Sequence, residues 1–246
     1  MGKLMNKMDN MPIPGSSFQY SAVRIEDLGA TEYTLVTVAV DQSSSVSSFR
    51  SELIATLKEI VRACQRSPRK ENLMIRVIGF NDNCTEVHGF KLLGMLSGDE
   101  YQKLSPQGMT ALFDATYDAV AATAGYAKSL VQQDFNTNGI VFVITDGCDN
   151  RSKATPYKIA EAKKKSLLNE EIESLLTILI GVNIKDRAVH DELVRFEAEG
   201  EFDQFVELKD ATADTLAKVG GFVSRSISSQ SQALGTGGPS QPLTLH

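Results

Sequence analysis

The chain places oxygen-bearing side chains at three points where an apolar run ends or a helical pattern begins. Asp41, Ser43 and Ser45 follow the β-branched run 34–40. Thr110 follows Gly108 and Met109 at the head of a helix-period segment, and Asp146 follows the apolar run 139–145. Carboxylates and hydroxyls with no histidine or cysteine among them suit a hard cation. Mg2+ fits best, since it takes six oxygens at ~2.1 Å and keeps some of its waters; Mn2+ and Ca2+ are the alternatives. Asp41, Ser43 and Ser45 alternate along the chain, so an extended loop turns them toward one point and turns Gln42 and Ser44 away. Asp41 and Asp146 together balance a divalent ion. The hydroxyls of Ser43, Ser45 and Thr110 add no charge, which leaves such an ion attractive to an anion from elsewhere.

Each piece taken alone has a plainer explanation. Any of Ser43, Ser44 and Ser45 could cap a helix starting near Val46, and Thr110 could cap the next one. Asp146-Gly147 alone is an ordinary turn. Asp149 is a loop residue or a partner to the ligands, and Asp114 either buttresses the site or favours the start of its helix. It is the coincidence of three loops, each carrying the required residue types, that points to a metal.

Those loops need a scaffold that brings them to one edge. Apolar runs of strand length occur at 34–40, 73–80, 139–145 and 174–181, with a shorter one at 202–208. Helix-period segments lie between and after them, at 46–66, 110–132, 155–169, about 186–199 and 211–228. This alternation predicts an α/β fold: a doubly wound, mostly parallel, Rossmann-like sheet with helices on both faces. In such sheets ligands sit beyond the carboxyl ends of the strands, where Asp41 and Asp146 fall. The segment 84–90 follows Asn81, Asp82 and Asn83 closely enough to turn back as one antiparallel edge strand. Residues 1–32 read as an N-terminal extension or strap, with Phe18, Tyr20, Val23 and Ile25 alternating, and 33–228 as the domain. Residues 229–246, rich in Ser, Gln, Gly and Pro, read as a disordered tail.

DQSSS at 41–45, Thr110 within QGMTALFDA and Asp146 within FVITDG together resemble the metal-ion-dependent adhesion site (MIDAS) of von Willebrand factor A (vWA) domains, and the resemblance covers roughly residues 33–228. It implies that Ser43, Ser45 and Thr110 ligate the metal directly, with Asp41 and Asp146 acting directly or through water. It implies a sheet parallel except for one short antiparallel strand. It also implies a non-enzymatic module whose metal accepts an Asp or Glu carboxylate from a protein partner, within a multi-protein assembly and alongside an ATPase-linked partner. One departure is Ser44, where many members carry Gly; it restricts the loop's backbone but removes no ligand.

Composition narrows the remaining classes. A net charge of −6 with no basic cluster argues against nucleic acid. Lys163, Lys164 and Lys165 precede Glu170, Glu171 and Glu173 and read as a solvated helix face. Three cysteines, Cys64, Cys84 and Cys148, are too few and too scattered for a disulfide framework, which suggests a reducing, cytoplasmic setting. The first residues lack the unbroken apolar core of a secretion signal. Gly2 is not followed by the Ser or Thr that myristoylation wants at position 6, which is Asn6, and no run reaches the ~20 apolar residues of a membrane span. Cys84 and His88 form half of a zinc pattern with no second half. The rival function is a Mg2+-dependent phosphohydrolase of haloacid-dehalogenase type with Asp41 as nucleophile, but its second acid would stand where Ser43 is. A third reading is an architectural subunit whose metal site goes unused.

Overall fold

The apolar runs become strands because both of their faces are covered. A computed structural model describes residues 7–244. In β3 (Glu32–Asp41) the side chains of Val36, Val38 and Val40 enter one core while Leu35 and Ala39 enter another. The period of two thus serves two buried surfaces rather than one buried and one wet. β4 (Leu73–Phe80), β6 (Asn136–Thr145), β7 (Leu175–Gly181) and β8 (Gln204–Glu207) lie parallel to β3 in the order β4-β3-β6-β7-β8. α1 (Arg50–Gln65) and α5 (Ala213–Thr236) cover one face, with Leu57, Ile60, Phe222 and Ile227 against Val38 and Phe142. α2 (Leu112–Val131), α3 (Pro156–Leu168) and α4 (Arg187–Glu199) cover the other, with Val120, Ile159 and Phe196 against Val141 and Leu179. This is the doubly wound α/β architecture that the alternation of runs predicts.

The antiparallel strand is also present: β5 (Cys84–Leu92) runs back along β4. It is not outermost. The N-terminal extension forms a hairpin, β1 (Met8–Pro12) with β2 (Gln19–Val23), which adds two strands beyond β5. β2 meets β5 through a single bridge pair, Ala22 with Phe90. Side chains complete the seam. The Glu86 carboxylate accepts the Ser21 N–H at 3.0 Å and the buried Arg76 Nε–H at 2.8 Å, and the Tyr126 hydroxyl donates to the Val23 carbonyl at 2.7 Å. Gly2, Asn6 and the last two residues of the expected tail lie outside the described residues.

Two boundaries differ from the sequence reading. α1 starts at Arg50 rather than near 46, because Ser44–Phe49 form a 3-10 segment instead. α5 continues to Thr236, so residues 229–236 are helical where the composition suggested a tail. Two of its side chains in this stretch have partners in distant elements, although the buried Gln230 Oε1 has none among the described residues. The Gln230 amide donates to the Gly139 carbonyl at 3.1 Å and to the Ser174 hydroxyl at 3.0 Å, and Arg69 Nε donates to the buried Ser231 hydroxyl at 2.8 Å. Gly237, at φ 66°, then ends the helix in the left-handed conformation that glycine adopts without strain. Truncation after Ser228 is therefore expected to lower unfolding stability by about 3 kcal/mol in urea titrations, since it removes these bonds and the Leu234 side chain, whereas truncation after Gly238 should cost only about 1 kcal/mol.

Candidate metal centre

β3 and β6 are hydrogen-bonded neighbours in parallel register, with Val40 opposite Ile144, so their carboxyl ends bring Asp41 and Thr145 side by side. The Thr145 hydroxyl donates to Asp41 Oδ2 and the Ser43 N–H donates to Asp41 Oδ1, both at 2.7 Å. This fixes the carboxylate, which is 2% exposed. From there the chain passes through an extended Ser43 into the 3-10 segment, and the hydroxyls of Ser43 and Ser45 come within 3.0 Å of each other. The Ser45 hydroxyl also donates to Asp146 Oδ1 at 2.8 Å. Asp41, Ser43, Ser45 and Asp146 are thus linked in one hydrogen-bonded series, the first link through the Ser43 amide and the others through hydroxyls.

Thr110 arrives by a different route and makes no hydrogen bond to those four side chains. Its N–H donates to Asn150 Oδ1 at 2.8 Å and its carbonyl accepts the Asn150 N–H at 3.0 Å, which ties it to the loop that carries Asp146. The loop that carries Thr110 is also tied to the serines, since the Ser44 N–H and hydroxyl both donate to the Gly108 carbonyl at 3.2 Å. On its far side the Met109 N–H donates to Asp82 Oδ2 at 3.2 Å and the Ala111 N–H to the Asn81 carbonyl at 2.7 Å. Gly108 sits at φ 78°, and a Cβ there would lie 2.0 Å from Asp82 Oδ2, so both conformation and space require glycine.

The helix-capping readings of these residues do not hold. Ser43 and Thr110 cap no helix with their side chains: α2 has Ala111 at its N-cap and the 3-10 segment has an uncapping Ser43. The free N–H groups of α2 are met instead by the loop after β6, where Asp149 Oδ1 accepts from Phe113 at 3.2 Å and the Ser152 hydroxyl accepts from Asp114 at 2.9 Å. Asp114 in turn accepts the Lys153 and Ala154 N–H groups, so Asp149 and Asp114 are staples between loops. Gln42 is a staple as well: its side chain accepts the Ser105 N–H at 3.0 Å and its carbonyl the Gln107 N–H at 2.8 Å. Asn81 and Asp82 carry no sequence signal as contributors to the site, because their partners lie in other loops, and Asn150, which falls at the same strand end as Asp146, acts by holding the Thr110 backbone.

Burial pushes the Asp41 carboxyl up to about 6, with the neighbouring Asp146 adding to the rise and the bonds from Thr145 and Ser43 opposing it. Burial raises Asp146 too. Among the described residues neither carboxylate has a Lys, Arg or His within salt-bridge distance. A buried carboxylate and a half-buried one side by side with no counter-charge are costly as anions, and a divalent ion among them and the hydroxyls would offset that cost. The donor set fits Mg2+ in kind. Among the described residues no three His, Cys, Asp or Glu side chains are grouped to hold a metal, so a metal here depends on the hydroxyls. His88 is no zinc ligand: its ring bonds the Gly89 carbonyl at 2.9 Å and the Tyr101 hydroxyl at 3.2 Å, and burial lowers it to about 4. Burial pushes the Cys148 thiol up to about 12, which leaves it a poor nucleophile.

No protein-family model and no curated protein matches the chain. Among solved structures it is similar to the PilB minor pilin from Streptococcus sanguinis, with TM-score 0.56 and 15% identity over 89% of this chain and 66% of that one. It is also similar to the pilus adhesin SpaC from Lactobacillus rhamnosus GG in its open conformation, with TM-score 0.57 and 11% identity over 86% of this chain and 31% of that one. Proximal thread matrix protein 1 from the mussel byssus, with zinc occupied MIDAS motif, overlays with TM-score 0.49 and 19% identity over 79% of this chain and 46% of that one. The chain therefore spans about two thirds of the length of the pilin and about one third of the adhesin. At these identities the likeness to the pilin and the adhesin is one of fold.

Gly108→Ala should destabilise the protein by about 2 kcal/mol in thermal or urea unfolding and weaken Mg2+ binding together with it, because the Thr110 loop must shift away from Asp82. The Asp41 carboxyl gives a pH signature. Its folded value lies above the ordinary carboxylate value, so its contribution to metal-free stability is present at low pH and is lost as pH rises through about 6. A bound divalent ion reverses that loss. The melting-temperature increase caused by Mg2+ should thus be larger at pH 7.5 than at pH 5, measured by differential scanning calorimetry.

Proposed function

We propose that this chain is a vWA-type binding module that holds Mg2+ at the carboxyl edge of its sheet and uses it to take a carboxylate from a protein partner. The observation that carries this reading is the buried Asp41 carboxylate linked through the Ser43 amide and the Ser43 and Ser45 hydroxyls to the half-buried Asp146, with no basic side chain within salt-bridge distance of either among the described residues. When bound, a divalent ion supplies a coordination position that an incoming Asp or Glu side chain can occupy. Ser43, Ser45 and Thr110 would hold it as neutral donors, with Asp41 and Asp146 as the charged ones. Mn2+ or Ca2+ could use the same oxygens.

The reading is non-enzymatic. A phosphohydrolase using Asp41 would need a second acid two residues on, and Ser43 there is hydrogen-bonded within the cluster instead. Among the described residues no helix is long and apolar enough to cross a membrane. Three free cysteines, one of them buried, favour a reducing, cytoplasmic setting within a multi-protein assembly, with an ATPase-linked partner in view. The pilin and adhesin likeness, which concerns the fold, makes the cell exterior the competing location.

Two measurements decide the matter. With Mg2+ at a hundredfold excess over its Kd, the wild type should gain about 2.7 kcal/mol, or roughly 5–10 °C in Tm, and Asp41→Ala should gain nothing. Capture of a protein partner should be lost in EDTA and with Asp41→Ala; capture unchanged by either, with folding intact, would show that the metal is not the contact.

A further inference from the structure

The rim of the cluster carries two side chains that the metal reading leaves without a task. Met109 immediately precedes Thr110 and is 45% exposed, and among the described residues it is the exposed large apolar side chain adjacent in sequence to a candidate ligand. Arg151 immediately follows Asn150, the residue that holds the Thr110 backbone, and its side chain is 61% exposed. Its Nε forms a loose ion pair with Asp82 Oδ1 at 3.8 Å, beyond hydrogen-bond reach, so no hydrogen bond holds the exposed guanidinium to Asp82. Neither residue is on a loose loop. Asp82 accepts the Met109 N–H through one oxygen and faces Arg151 with the other, while the Gly108 carbonyl and the Ala111 N–H are both engaged. A methionine held exposed by a braced backbone loses contact with water only when something apolar covers it.

We infer that Met109 and Arg151 form a selective rim around the cluster, and that the partner presents an acidic side chain flanked by an apolar residue, which covers Met109, and by a second acidic residue, which pairs with Arg151. This rests on the reading that the cluster holds a divalent cation. Charge supports the assignment. The chain carries a net charge of −6 and would repel an acidic loop at long range, and an exposed guanidinium on the loop that follows Asp146, only loosely paired with Asp82, offsets that repulsion where contact is made. Methionine suits the other side because its flexible thioether adapts to apolar neighbours of different shape.

The probe is a displayed library of disulfide-constrained peptides, selected on the full chain in Mg2+ and released with EDTA, with parallel selections on Asp41→Ala, Met109→Ser and Arg151→Gln. The released wild-type pool is expected to be enriched in an acidic residue with an apolar neighbour and a second acid nearby. A synthetic peptide from that pool should bind Met109→Ser about tenfold more weakly. It should bind Arg151→Gln about threefold more weakly, with a reduced dependence on salt. Both side chains are exposed, so unchanged melting temperatures serve as the folding control. Enrichment of a lone acid with unselected neighbours, or equal affinity for the two rim variants, overturns the rim and leaves the cation reading standing. A pool that is not released by EDTA, or is equally acidic on Asp41→Ala, overturns the cation reading and the rim with it.

Discussion

Two carboxylates stand at the carboxyl ends of neighbouring strands, Asp41 buried and Asp146 half-buried, with no basic side chain within salt-bridge distance of either among the described residues. β3 and β6 are paired along nearly their whole length and are covered on both faces, which is why Asp41 is buried at all. Burial opposes ionisation of Asp41 and of Asp146, and the hydrogen bonds from Thr145 and the Ser43 amide offset only part of that opposition. What remains is negative charge that a divalent cation would balance, with neutral hydroxyls beside it rather than further anions. The surrounding loops can be understood as holding this unfavourable pair in place.

They do so mainly with backbone groups. Gln42 anchors the segment before Thr110, the Gly108 carbonyl takes two donors from Ser44, and Asn150 grips Thr110 by both its N–H and its carbonyl. Asp114 and Asp149 sew the start of α2 to the loop after β6. Because these bonds exist in the protein by itself, an ion would find its donors already ordered and would lose little affinity to arranging them.

The sequence made the sheet readable because each central strand is a short β-branched run, and alternation of strand and helix leaves few ways to arrange them. It also made four members of the cluster readable, since they sit at the carboxyl ends of adjacent strands. Thr110 was legible as the hydroxyl that opens a helix-period segment, but its connection to the Asp146 loop runs through Asn150, and that pairing leaves no mark in the sequence. The same limit explains Asp82, a residue of a polar turn whose importance comes from Gly108 and Met109 far along the chain. At the C-terminal end, composition misled for a related reason: Gln230 and Ser231 look like solvated linker, yet their partners Gly139, Ser174 and Arg69 are supplied by distant elements. Long-range polar matching leaves no periodicity to detect.

The seam between β2 and β5 has a consequence for how this architecture could change over time. Take away the N-terminal hairpin and six strands remain in the order β5-β4-β3-β6-β7-β8, with β5 as a true border. The hairpin is attached by one bridge pair, buried apolar side chains and a handful of specific groups, Glu86 and Tyr126 among them, rather than by a long backbone ladder. It is an appendage that a few substitutions could release or recruit, at the margin of the sheet opposite β8 and several strands from the oxygen cluster's own β3 and β6. Kindred chains with no such extension would then keep the central chemistry and differ only in what protects their outer strand.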